Sequence, residues 1–152
     1  MDIGLKKEDC KTICTILNTT LATTYAIYLK TQFFHWNVTG KEFYALHVLF
    51  QKQYEEMAEA IDEVAERVRA LGEYPPGSFS SFAKLSQIQE ESLAPSSDKM
   101  LQILTTDHQT LICYLRKHLS QIEDLQDGAT ADLINKRLAI HEKAAWMLRS
   151  SI

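Results

Sequence analysis

Apolar side chains along this chain return every third or fourth position in long runs, and no stretch alternates as a strand would. The first run, Ile13, Leu17, Leu21, Tyr25 and Tyr28, predicts a helix from near Glu8-Asp9 to about His35. Acidic residues at its start suit the positive end of a helix dipole. Asn37-Val38-Thr39-Gly40 has the composition of a turn, with Gly40 free to take a positive φ. The second run is the most regular: Leu46, Phe50, Tyr54, Met57, Ile61, Val64, Val68 and Leu71. It spans about seven turns, and Gly72 is its natural stop.

Glu73-Tyr74-Pro75-Pro76-Gly77 cannot continue a helix. The next long one is predicted only from about Ser97, with Ser96 or Ser97 as its cap. A connection of roughly two dozen residues is far longer than a helical hairpin needs. It suffices to run back along the second helix, about 45 Å at helical rise. The segment therefore reads as a crossover between two parallel helices. Phe79, Phe82, Leu85 and Ile88 predict a short helix within it, covering apolar surface or lining a subunit contact. The third run carries Leu104, Leu111, Leu115, His118, Ile122 and Leu125. After a break at Gln126-Asp127-Gly128, with Asp127 placed to cap, the fourth carries Ile134, Leu138, His141, Ala145, Leu148 and Ile152. Arg149 in its last turn suits the negative end of the dipole. An all-α chain of four long helices with one long crossover is the ferritin-like bundle, expected here as a single domain over residues 1–152.

Composition narrows the class. With 45% hydrophobic and 24% charged residues the chain reads as a soluble globular protein, and a net charge of −4 supplies no bulk attraction for nucleic acid. The first residues lack the apolar core of a signal peptide, and no apolar run is long enough for a membrane span. Three cysteines, an odd number, point to a reducing cytoplasm. Cys10 and Cys14 share a helix face and could form a soft metal or redox pair. Free cysteine commonly behaves as a small hydrophobe, and burial is the expectation for both.

The chemistry concentrates in residues 35–66. His35, His47, Asp62 and Glu66 form a ligand set suited to Fe(II), Zn(II) or Mn(II). His47, Asp62 and Glu66 fall on one side of a single helix, yet His47 and Asp62 lie about 22 Å apart along its axis. One ion cannot bridge that distance. A site built from these residues must join the histidines of one chain to the carboxylates of another, as a two-fold pairing of antiparallel helices would. The intra-bundle alternative, a Glu-x-x-His motif, is absent. The residues three before His35, His47, His108, His118 and His141 are Gln32, Tyr44, Thr105, Leu115 and Leu138. His108 and His118 are read as packed or solvated, and His141 as a hydrogen-bonded core residue. The remaining acids of the second helix, among them Glu55, Glu56, Glu59 and Glu63, read as a solvated face.

The run Leu29-Lys30-Thr31-Gln32-Phe33-Phe34-His35-Trp36-Asn37-Val38-Thr39-Gly40 resembles the signature of the Dps family (DNA-binding protein from starved cells, the mini-ferritins). So do His47, the run Ile61-Asp62-Glu63-Val64-Ala65-Glu66-Arg67 and the ending from His141 to Arg149. The resemblance implies a hollow dodecamer with ferroxidase sites at two-fold interfaces. His35 and His47 of one subunit and Asp62 and Glu66 of its neighbour would hold iron. The family oxidises Fe(II) with hydrogen peroxide, less readily with dioxygen, and stores the ferric mineral, which protects DNA. Trp36 beside the site and Trp146 near it would donate electrons to stray oxidant; the plainer reading of both is as large core aromatics. Four residues after His47 the family usually places Asp, and here stands Gln51, which cannot act as a carboxylate ligand. Cations would enter by an acidic pore near the last interhelical turn, where Glu123, Asp127 and Asp132 are the candidates. Direct DNA binding, which in the family often uses Lys-rich tails, is not expected. Lys6, Lys7 and Lys11 are balanced by Asp2, Glu8 and Asp9. An inert cage serving as an interaction protein is the remaining alternative.

Overall fold

The computed structural model describes residues 3–152; Met1 and Asp2, the latter part of the N-terminal charge balance, lie outside them. Five helices follow in order: α1 (Lys7–Asn37), α2 (Phe43–Ala70), α3 (Phe79–Leu85), α4 (Ser97–Asp124) and α5 (Gly128–Arg149). There is no strand among the described residues. α1 packs on α2 and α4 on α5 as two hairpins, α1 meets α4 and α2 meets α5, and α3 lies on α1. This is the all-α four-helix bundle with its short helix in the crossover. No helix among the described residues is long and apolar enough to cross a membrane.

Local chemistry explains most boundaries. Gly40 and Gly72 take φ of 108° and 94°, a region open to glycine, at the turn after α1 and the end of α2. Ser78 caps α3 by accepting from the Ser81 amide, and Asp127 caps α5 by accepting from the Thr130 amide. Some details differ from expectation. Ser96 occupies the cap position of α4 but makes no side-chain cap bond. α3 stops before Ile88 because Ser86 turns extended. In the sharp turn after α4, within the expected break, Gln126 takes a positive φ (61°). Ile152 lies past the end of α5 and is exposed.

The core divides in two. One cluster gathers Ile13, Leu17, Leu21, Met57, Val64, Leu111, Leu115, Ile134 and Leu138. The other gathers Phe34, Leu46, Phe50, Met100, Leu101, Leu104 and Leu148 around the α1–α2 turn. On every long helix the change from one cluster to the other falls at buried polar residues. These are Lys30 and Thr31 on α1, Gln53 on α2, Asp107 and His108 on α4, and His141 on α5. A polar layer thus crosses the bundle. In it Lys30 Nζ donates to Asp107 (2.6 Å) and to the Gln89 carbonyl (2.6 Å), tying α1 and α4 to the crossover. Burial still holds the Asp107 carboxyl above its ordinary range, against the pull of Lys30.

Candidate metal centre

The hairpin turn between α1 and α2 is short, so the last turn of α1 faces the first turns of α2 and His35 meets His47. Their rings stack, with centroids 3.7 Å apart and planes 18° apart. Each ring bonds the other residue's backbone: His35 Nδ1 to the His47 carbonyl (2.8 Å), His47 Nδ1 to the His35 carbonyl (2.9 Å). A carbonyl oxygen can only accept, so each Nδ1 carries a proton and donates it. In the neutral rings both lone pairs then sit on Nε2, the tautomer that ligates metal with its second nitrogen held by the protein. Phe43 packs beside His47 (centroids 5.1 Å) and Tyr54 sets its ring edgewise to His35 (5.2 Å, 74°). His35 is buried and His47 half-buried.

Asp62 and Glu66 lie elsewhere. Both are exposed on α2, which runs unbroken from Phe43 to Ala70, so the rise of about 22 Å from His47 to Asp62 stands. Among the described residues no three His, Cys, Asp or Glu side chains gather to hold a metal within the chain. One subunit therefore presents two imidazoles at one end of α2 and two carboxylates, four residues apart, towards the other. Gln51 donates to Glu55 (2.7 Å), one turn along the same face. Trp36 and Trp146 are 62% and 57% exposed, which overturns their reading as core aromatics.

The acidic turn is split by its packing. Glu123 and Asp132 are exposed. Asp127 is not: it is 3% exposed, caps α5, and receives Arg67 Nη2 on both oxygens (2.7 and 2.9 Å). Burial alone would raise its pKa, but the Thr130 hydroxyl and Arg67 hold the carboxyl below its ordinary range. The expectation that Asp127 lines a pore is corrected, because its charge is spent inside the subunit. Cys10 and Cys14 are buried free thiols, and burial, aided by Glu73, pushes Cys14 up to about 11. A thiol so rarely ionised is a poor metal or redox ligand.

Sequence reasoning missed a set that spans three helices, buried on α4 and α5 and half-buried at Glu56 on α2, which it had read as part of a solvated face. Arg137 on α5, 1% exposed, donates to both oxygens of Glu56 on α2 (2.5 and 3.0 Å) and to His141 Nε2 (3.2 Å). His141 Nδ1 lies 2.9 Å from His108 Nδ1. The available signal was Arg137 one turn before His141, a cation on an otherwise apolar stripe.

The family model of the ferritin-like domain matches residues 14–152. A low temperature-induced protein of Nostoc sp. is 42% identical over all of this chain and 86% of its own length. DNA protection during starvation protein 2 of Bacillus anthracis is 32% identical over 92% of this chain and 96% of its own. Among solved structures, the Dps protein of Vibrio cholerae superposes with a TM-score of 0.93. It is 32% identical over 97% of this chain and 93% of that one, and is described as one of the ferritin-like diiron-carboxylate proteins. DpsC of Streptomyces coelicolor gives a TM-score of 0.96 at 27% identity, over 99% of this chain and 89% of that one. With the bundle, its crossover helix and the paired histidines in place, these matches make the chain a member of the Dps group of the ferritin-like family.

Proposed function

We propose that this protein is an iron-oxidising storage protein that protects DNA by consuming ferrous iron and hydrogen peroxide together. One observation carries the reading: the reciprocal bonding of His35 and His47, which holds two Nε2 lone pairs ready before any metal arrives. An ordinary packed histidine pair has no need of that arrangement. Iron is the substrate. His35 and His47 of one subunit and Asp62 and Glu66 of its two-fold neighbour bind it, in a closed assembly expected to be a dodecamer. Two neutral nitrogens and two carboxylates offset the charge of Fe(II) and favour the more highly charged ferric product. Two ferrous ions supply the two electrons that reduce one peroxide. Dioxygen is the slower oxidant. Trp36, exposed beside His35, and Trp146 intercept oxidant that escapes. Glu123 and Asp132 mark the route by which cations enter. DNA is spared by removal of the reagents, since the described N-terminal lysines Lys6, Lys7 and Lys11 stand among Glu8 and Asp9.

The test is an anaerobic Fe(II) titration followed by peroxide in one cuvette and air in another, read by ferric absorbance. Rapid oxidation by peroxide, slow oxidation in air, and loss of both in a His35→Ala, Asp62→Ala variant are expected. Oxidation no faster than in buffer would leave an inert cage, with Gln51 the first residue to restore to Asp.

A further inference from the structure

A row of aromatic rings leads away from His35. Tyr54 sets its ring edgewise to the His35 imidazole (centroids 5.2 Å, 74°). Tyr28 meets Tyr54 edgewise in turn (6.0 Å, 82°), and Tyr25 meets Tyr28 (5.7 Å, 60°). Every step lies within the separation of about 4.5–7 Å at which aromatic rings are in contact. Beyond Tyr25 the rings change kind: its next neighbours are Phe82 (4.7 Å) and Phe79 (6.4 Å) of α3.

That change is a chemical boundary. A phenol gives up an electron together with its hydroxyl proton, whereas a phenylalanine ring has no such proton and is far harder to oxidise. An oxidising equivalent entering at Tyr54 can step to Tyr28 and Tyr25, and it stops there. Packing alone would be met by phenylalanine at all five positions, yet the hydroxyls occupy the three nearest to His35. All three tyrosines are half-buried. Tyr28 and Tyr54 pack against the main core, which holds their rings in place. Tyr25 stands ten residues before His35 on α1, about 15 Å along the axis. It lines an open pocket of about 320 Å³ between α1 and the crossover. Trp36, 62% exposed, stands outside the row.

We propose that Tyr54, Tyr28 and Tyr25 form a relay that carries a one-electron oxidising equivalent from the histidine pair to Tyr25. The relay rests on the reading of His35 and His47 as part of an iron-oxidising site, and it serves the occasions when that site is half-filled. A lone ferrous ion gives one electron to hydrogen peroxide and leaves ferric ion, hydroxide and hydroxyl radical. The radical takes the hydroxyl hydrogen atom of Tyr54 and becomes water. Tyr28 then restores Tyr54 with an electron and a proton, and Tyr25 restores Tyr28 in the same way. The net change is one hydroxyl radical reduced to water and one Tyr25 oxidised to its neutral phenoxyl radical, away from the ligands.

The experiment gives the assembled protein substoichiometric Fe(II) and then hydrogen peroxide, with mannitol present to consume radicals in bulk solution. Ferric absorbance follows the iron, freeze-quench EPR detects tyrosyl radical, and a nitroso spin trap with peptide mass spectrometry locates it. The adduct should form on Tyr25 ahead of Tyr44 and Tyr74, although these are 78% and 80% exposed. Tyr28→Phe should abolish the Tyr25 adduct and leave the radical on Tyr54, with ferric absorbance rising as in the parent. Tyr25→Phe should move the adduct to Tyr28. Labelling that follows exposure, a Tyr25 adduct that survives Tyr28→Phe, or ferric absorbance without tyrosyl radical would each overturn the relay and leave the iron site standing. Ferric absorbance no faster than in buffer would strike the iron-site reading, and the relay, left without a source of oxidant, would fall with it.

Discussion

Removed from water and close to the Arg137 cation, the His108 ring resists protonation: burial, then the arginine, lowers its pKa to about 3. Burial, His108 and Arg137 lower His141 well below its ordinary value too. An unfolded chain protonates such a ring near 6.5, and the folded one does not until far lower. The histidine therefore leaves stability untouched above pH 6.5, and withdraws it as pH falls from there towards about 3. The expected slope is about 1.4 kcal/mol per pH unit for each ring. Urea midpoints between pH 7 and 5 should show the decline, and His108→Gln should flatten it. A second prediction belongs to Lys30. Truncation to Ala strands the buried Asp107 and should cost about 3–5 kcal/mol, whereas Lys30→Leu with Asp107→Leu should recover most of it. Neither network was legible in the sequence. Lys30 and Asp107 are 77 positions apart, His108 and His141 33 apart, and spacing along one helix says nothing about partners on another.

Helices α2 and α4 were written plainly in their apolar stripes, since each buries one side and shows solvent the other. α1 was harder to read. It packs against α2, α3 and α4 and buries Thr19, Thr20, Thr23, Thr24 and Thr31 beside its aliphatic stripe. The hydroxyls of Thr20, Thr24 and Thr31 each donate to the carbonyl four residues back, so polar-looking positions enter the core satisfied. The α4–α5 turn was half legible. Asp127 was expected both as cap and as pore residue, and only the Arg67 contact, 60 positions away, separates the two. Asp127→Ala should lower stability by about 2–3 kcal/mol, through the lost cap and an unpaired Arg67. Asp127→Asn keeps the cap and should lose less. Denaturant titration distinguishes them, and an equal loss would mean that the cap contributes nothing.

For the whole molecule, the spacing of His47 from Asp62 and Glu66 on one helix was legible from residue numbers alone. The carbonyl bonds that set the histidine tautomers were not, because they need the hairpin. The proposed division of ligands between subunits makes a distinctive prediction. His35→Ala, His47→Ala subunits and Asp62→Ala, Glu66→Ala subunits should each be inactive. Refolded together in equal amounts, they should regain about a quarter of the parent sites, since only mixed pairs hold an intact set and each holds one of two. Ferric absorbance after peroxide measures the recovery, and activity in either variant alone would sink the division. The length of α2 has a consequence for timing as well. A lone chain holds its two imidazoles and its two carboxylates about 22 Å apart along α2, too far for one ion to meet both. On the proposed division of ligands, oxidation waits until two subunits dock. In dilute solution the rate should therefore climb with the square of the subunit concentration, as for a reaction that only a docked pair can carry out.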